Sequence, residues 1–145
     1  MKALVLGLVF VCACAQAPRP DTSAQTWLAK VRAAHAAADV AGTAEGRKIA
    51  YAALRVLAQE PAPPSVAAVD AASVRRDLYG RAVRLALSLQ LDFEAKRMID
   101  EGLALEGHDP YHTQLLLLSV ETQRALGHEA AAAEAERTAR AALQR

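Results

Sequence analysis

Leu91-Asp92-Phe93-Glu94-Ala95-Lys96-Arg97-Met98-Ile99-Asp100-Glu101-Gly102-Leu103-Ala104-Leu105-Glu106-Gly107-His108-Asp109-Pro110 decides how this chain folds, because it spells one helix from start to stop. Asp92 stands where an N-cap is expected. Ala95, Met98, Ile99, Gly102 and Leu103 then recur at the three-and-four spacing of a single helical face. Gly107 marks the stop. Asp109-Pro110 opens the next helix at once, with Asp109 as its cap and Pro110 in the first turn, where a missing N–H costs nothing.

The pattern repeats outward in both directions. Upstream, Ser23 is expected to cap a helix whose face is Trp27, Leu28, Val31, Ala34, His35 and Ala38, closed by Gly42. Thr43 caps a second, with Ile49, Ala50, Ala53, Leu54 and Leu57 as its stripe, ending before Glu60-Pro61. Pro61-Ala62-Pro63-Pro64 reads as a stiff loop within one domain, since a lone hairpin has nothing to bury its apolar face against. The third helix starts either at Ser65 or after Asp70, and both readings stand. From Val74 on, Val74, Leu78, Ala82, Leu85 and Leu89 form one face and Tyr79, Val83 and Ala86 another, as in a helix lying between neighbours. Downstream, Pro110 to about Leu126 carries Leu115-Leu116-Leu117-Leu118, which covers all sides of one turn and marks either the most enclosed position or a patch that a partner covers. Gly127 ends it. The last helix, Glu129 to about Gln144, is mainly Ala, Glu and Arg, with Glu136 and Arg140 spaced to pair.

Composition agrees with an all-α fold. Alanine is abundant while aromatics are 4% of residues, so the helices must pack closely through small side chains. No strand alternation or Asn-Gly or Asp-Gly hairpin turn occurs. The formal net charge is +1, with arginines interspersed among carboxylates, which argues against nucleic acid as a partner because counterion displacement needs a basic stripe.

Met1-Lys2 followed by the apolar run Ala3 to Ala13 is a charged start and a segment too short to span a bilayer, the pattern of a signal peptide over residues 1–13. Two cleavages fit. Ala13-Cys14-Ala15 satisfies the small-x-small rule and leaves Gln16 first. Val11-Cys12-Ala13-Cys14 instead resembles the bacterial lipobox, although Cys12 departs from its usual third-from-last residues. That resemblance implies cleavage before Cys14, a diacylglyceryl group on its sulfur, and a lipid-anchored protein of the cell envelope. Residues 14–22, with Pro18 and Pro20, then form a short extended tether ahead of a single domain at 23–145. Ala15 after Cys14, in place of the retention Asp, points to the outer membrane facing the periplasm; a soluble periplasmic or secreted protein is the alternative.

Three hairpins, at about 23–60, 65–107 and 109–145, contain an internal period. Leu91-Asp92-Phe93-Glu94-Ala95 and Leu126-Gly127-His128-Glu129-Ala130 occupy equivalent turns 35 residues apart. This resembles the tetratricopeptide repeat. Asp92-Phe93-Glu94-Ala95, Gly102 and Asp109-Pro110 match the family's turn, its small residue in the second helix and its terminal proline, with one residue missing in the turn. The last unit matches through Leu116, Gly127, Ala132 and Ala139, and the first only through Trp27, Ala50, Leu54 and Glu60-Pro61. The resemblance implies a short stacked solenoid; an irregular six-helix bundle is the alternative. It also implies a protein-binding or assembly module whose partner, another envelope protein, docks on a concave face lined by the first helix of each hairpin. Arg81, Ser88, Leu117, Glu121 and Arg124 lie off the buried stripes and are the candidate contacts. Gly102 is expected to face the neighbouring hairpin.

Other chemistry is thinly represented. His108-Asp109-Pro110-Tyr111-His112 is the one cluster with metal-ligating residues, and a capped helix start with two solvated imidazoles explains it more simply, so no metal or cofactor is expected. His35 reads as a boundary residue. No nucleophile elbow, phosphate loop or dinucleotide fingerprint occurs, and no catalytic residue is assigned. Trp27 and the leucine run leave a second function open, a helical bundle that binds a lipid or small apolar ligand.

Overall fold

A computed structural model describes residues 22–144. The residues read as signal peptide, Cys14, and the tether up to residue 21 lie outside that range. Among the described residues the chain forms six helices and no strand: α1 (Thr22–Asp39), α2 (Ala44–Gln59), α3 (Ala68–Ser88), α4 (Asp92–Leu103), α5 (Pro110–Ala125) and α6 (Glu129–Leu143).

Local chemistry explains most boundaries. Thr43 Oγ1 accepts the Gly46 N–H at 3.0 Å and Asp109 Oδ1 accepts the His112 N–H at 2.8 Å, so both expected caps form. Gly127 follows α5 with φ +74°, the left-handed conformation that closes a helix cheaply only in glycine. Glu60 leaves α2 with ψ 131°, as required of a residue before proline. The third helix starts at Ala68, between the two expected positions.

Thr22 is already helical, so Ser23 lies within the first turn of α1 and is not its cap. Three further expectations need correction. Asp92 is the first residue of α4, and the N-cap is Leu91, which makes no side-chain cap bond. The turn before it uses Gln90 at φ 59°, which sets the chain's direction without a cap. Second, α4 ends at Leu103 rather than at Gly107: residues 104–109 form a loop whose carbonyls turn to the buried Arg76. Third, the α2 stripe is rotated. Ala50, Tyr51, Leu54, Leu57 and Ala58 are buried, whereas Ile49 is 65% exposed and Ala53 is exposed. The spacing of Ile49, Ala53 and Val56 is helical too, and only the positions of α1 and α3 decide which of the two interleaved stripes is covered.

Each helix packs against its neighbours in sequence, and α3 also touches α1 and α5. Among the described residues the backbones of α2, α4 and α6 do not approach one another closely, and α2 meets α4 through long side chains. The chain thus has a row α1–α3–α5 backed by α2, α4 and α6. One core runs through it, from Trp27 and Val31 of α1 through Leu54, Leu78, Val83, Met98 and Ile99 to Leu115 and Leu118 of α5. Full burial of each large aliphatic contributes about 1.5–3 kcal/mol, which is the main term holding so alanine-rich a chain together. In the leucine run, Leu115, Leu116 and Leu118 are buried and Leu117 is 47% exposed.

Gly102 faces the next hairpin, as expected. A Cβ built there would lie 2.5 Å from Leu115 Cδ1 on α5 and 3.4 Å from Tyr79 Cδ2 on α3. α4 wedges between the two helices at this point because it has no side chain there.

Behind the row, polar side chains join α2 to α4. The Tyr51 hydroxyl donates to Glu94 at 3.4 Å, Arg55 lies 3.7 Å from the same carboxylate, and Gln59 donates to Glu101 at 3.4 Å. Glu101 also accepts from the Tyr79 hydroxyl at 2.9 Å. Burial and the two carboxylates raise both phenol pKa values, so the tyrosines stay protonated donors.

Candidate functional site

The face of α1, α3 and α5 that points away from α4 carries a continuous polar strip. On α3 the outward phase is Asp77, Arg81, Arg84 and Ser88, spaced at three and four residues, with Asp77 and Arg81 half-buried and Arg84 and Ser88 exposed. On α5 the corresponding phase is Leu117, Glu121 and Arg124. Gly80 meets Gln114 and Leu118 where the two helices touch, which sets Arg81 level with Leu117 and Ser88 level with Glu121 and Arg124.

Charged groups tie the strip together. Arg81 donates to Asp39 of α1 at 2.6 Å and lies 3.9 Å from Asp77 on its own helix. His35 Nε2 of α1 lies 3.5 Å from Asp77 Oδ2, at ion-pair distance but without a hydrogen bond. With the Gln114 amide oriented to satisfy both groups, its carbonyl accepts from the Arg84 guanidinium, joining α3 to α5. Exposed pairs of this kind contribute little stability, up to about 1 kcal/mol each, so their effect is mainly to fix the direction of the side chains.

All five residues proposed as contacts fall on or beside this face, but not all are free to bind. Ser88 Oγ donates back to the Leu85 carbonyl at 2.7 Å. Arg124 reaches across to Glu136 of α6 at 3.1 Å, and Glu136 also takes Arg140 at 2.5 Å. Leu117 and Glu121 are exposed, and among the described residues no hydrogen bond or ion pair engages the Glu121 carboxylate. His35, read from sequence only as a boundary residue, completes the strip together with Asp39, Asp77, Arg84 and Gln114, which the sequence reading does not name. The i, i+4 spacing of Asp77 and Arg81 was the available signal.

The histidine cluster at the start of α5 is organised differently. His108 and His112 meet edge to face with ring centres 4.5 Å apart. Asp109 is not free to complete a metal site: Oδ1 caps α5 and Oδ2 accepts Arg76 Nη1 at 2.7 Å. No group of three or more metal-ligating residues occurs among the described residues. Burial works against the charged form of Asp109, yet the His112 N–H, Arg76 and Ser73 together hold its carboxyl below the usual range.

Arg76 is the residue that the periodicity concealed. It is 1% exposed in the centre of α3. Besides Asp109, Nη2 donates to the carbonyls of Leu105, Glu106 and Gly107, the last two at 2.7 Å. One guanidinium therefore holds the whole α4–α5 connection, including Gly107 at φ +88°. A lone charge in an apolar phase, with Ala72 four residues before and Tyr79 three after, was the sequence signal.

Burial, foremost, lowers the pKa of both His35 and His112 from 6.5. For His35, Asp77 and Asp39 oppose this and Arg81 adds to it; for His112, His108 and Arg76 add to it and Asp109 opposes. As pH falls through 6.5 the unfolded chain takes up protons that the folded chain resists, so the unfolded state binds more protons and stability falls. The urea midpoint is expected to be lower in mildly acidic than in neutral buffer. Substituting His35→Gln should flatten part of that slope; a midpoint independent of pH across the histidine range would contradict the burial of both imidazoles.

Compared with protein-family models, curated proteins and solved structures, the chain finds no match. No helix among the described residues is long and apolar enough to cross a membrane.

Proposed function

We propose that this protein is a lipid-anchored envelope module that binds another protein along the α1–α3–α5 face, its helices stacked as a short tetratricopeptide-like array. The observation that carries the docking reading is the polar strip itself. Acidic and basic groups alternate across three helices, pinned in direction by Asp39–Arg81 and Arg84–Gln114, with Leu117 exposed among them as an apolar anchor. That mixture suits an extended or helical segment of a partner bearing both charges and one apolar side chain, since charge complementarity sets specificity and a buried apolar residue supplies affinity. The stacked reading is supported by the contacts of α3 with both α1 and α5, and by the side-chain bonds that join α2 to α4 behind them, as expected where each hairpin buries its stripe on the next.

Cys14 supplies the anchor in this reading. The test is a pull-down of the tagged protein from its own membranes, with wild type beside Leu117→Glu and Arg81→Glu. Both side chains are accessible enough to change without unfolding the chain. A stoichiometric partner recovered by wild type and lost from both variants is expected. Equal recovery by all three would move the binding site elsewhere, and native mass spectrometry showing a bound lipid with no protein would replace docking by ligand carriage. Cys14→Ala is expected to release the protein from the membrane fraction; unchanged fractionation would remove the lipid anchor from the proposal.

A further inference from the structure

The two ends of the helical row are finished differently. The outer side of α6 is covered by charge: Glu134 pairs with Arg137, and Arg140 with Glu136 at 2.5 Å. A terminal element needs such a surface to remain soluble. The outer side of α1–α2 has none at its centre. Ile49 is 65% exposed and Val56 68%, with Ala52 and Ala53 exposed between them. Beside them, Ala33, Ala34 and Ala37 of α1 line an open groove of about 640 Å³.

We infer that this face is a homodimer interface, on which a second copy of the chain packs with its α2 antiparallel to the first. Three observations select that occupant. The exposed stripe Ile49, Ala52, Ala53, Val56 reads nearly the same in both directions, large-small-small-large at spacings of three, one and three. A two-fold axis between Ala52 and Ala53 therefore sets Ile49 over Val56 of the partner subunit, while the alanines let the two backbones approach. Second, each end of the stripe carries one lysine and one glutamate: Glu45 with Lys48 at 3.8 Å, and Lys30 with Glu60 at 2.6 Å. Antiparallel packing about that axis brings opposite ends together and sets Glu45 over Glu60 of the partner subunit, with Lys48 and the partner subunit's Lys30 beside them to balance the two carboxylates. Third, the other end of the molecule is unsuitable as a mate. Seating α6 on the stripe would desolvate Glu134 and Arg137 against isoleucine and valine, so a head-to-tail chain of subunits is disfavoured and the contact closes on itself. The face is separate from the polar strip, and two copies joined through it would leave both strips open.

Sedimentation velocity of the full chain, under reducing conditions so that Cys12 and Cys14 cannot cross-link, tests this. Wild type is expected to show a concentration-dependent dimer. Ile49→Lys should weaken it on the order of tenfold or more, with an unchanged helical spectrum and, at dilutions where both chains are monomeric, an unchanged thermal midpoint, because Ile49 touches little within its own chain. In a chain with Cys12→Ser and Cys14→Ser, Ala53→Cys should form a disulfide-linked dimer on mild oxidation and Ala133→Cys on α6 should not. A monomer at every concentration, a dimer undiminished by Ile49→Lys, or equal cross-linking from both positions would overturn the inference. So would a monomer in which hydrogen exchange along residues 45–60 speeds up when residues 1–21 are removed, which would give the face to the chain's own leading segment.

Discussion

Replacing Arg76 by methionine is expected to destabilise the protein by about 3–5 kcal/mol, the cost typical of breaking a buried, hydrogen-bonded charge pair from one side. Methionine fills much of the volume and keeps the helix, so the loss is electrostatic. The carbonyls of Leu105, Glu106 and Gly107 lose their donor and the Asp109 carboxylate loses its counter-ion. Since the α4–α5 loop has little else to hold it, damage should concentrate there. Amide exchange is expected to rise first in residues 104–112, and the urea midpoint to fall sharply. Domains of this size have only about 5–15 kcal/mol in reserve, so the variant lies near the edge of folding. Arg76→Lys supplies the graded comparison: it keeps the charge but a single ammonium cannot serve four acceptors spread around a planar fork. The expected order is wild type, then lysine, then methionine; a methionine variant as stable as wild type would show that the guanidinium merely occupies the space.

Gly102→Leu is the second large effect. Glycine costs a helix interior about 1 kcal/mol relative to good helix formers, so on propensity alone the substitution should stabilise. The Cβ position 2.5 Å from Leu115 Cδ1 reverses the sign, because Leu115 is fully buried and Tyr79 closes the other side. Forcing a larger side chain into such a contact costs typically 1–3 kcal/mol beyond any propensity gain, and leucine adds three more carbons. A clear drop in thermal midpoint is expected. The specific partner is identified by a cycle: Gly102→Ala and Leu115→Val should each destabilise alone, yet together cost less than their sum, by about 0.5–3 kcal/mol, because valine lacks the methyl that the new Cβ strikes. Strict additivity would mean that α4 and α5 do not meet as described.

These two residues show how far the sequence could be read. Gly102 was legible: a glycine inside an apolar stripe, where propensity argues against it, signals a close approach. Arg76 was not, because a charged residue in a helix is usually solvated, and what satisfies it lies 29 to 33 residues further on, in a loop whose path periodicity does not reveal. The candidate strip was half legible. Arg81, Ser88, Leu117, Glu121 and Arg124 follow from phase within α3 and α5, but Asp39 and Gln114 become part of it only because α1 and α5 flank α3.

The sequence by itself determined the six helices and most of their ends. Those depend on interactions within about four residues: a Thr43 or Asp109 side chain reaching its own first turn, proline at a boundary, glycine at positive φ, and the spacing of apolar residues. Tertiary structure alone decided which of two interleaved stripes on α2 is buried, that Arg76 lies inside, and that Ile49 and Val56 lie outside. The reason is that helical spacing defines faces without naming their neighbours. Burial depends on what arrives from elsewhere in the chain, and for α2 it is α1 together with α3, beyond the proline loop, that cover one stripe and leave the other to water.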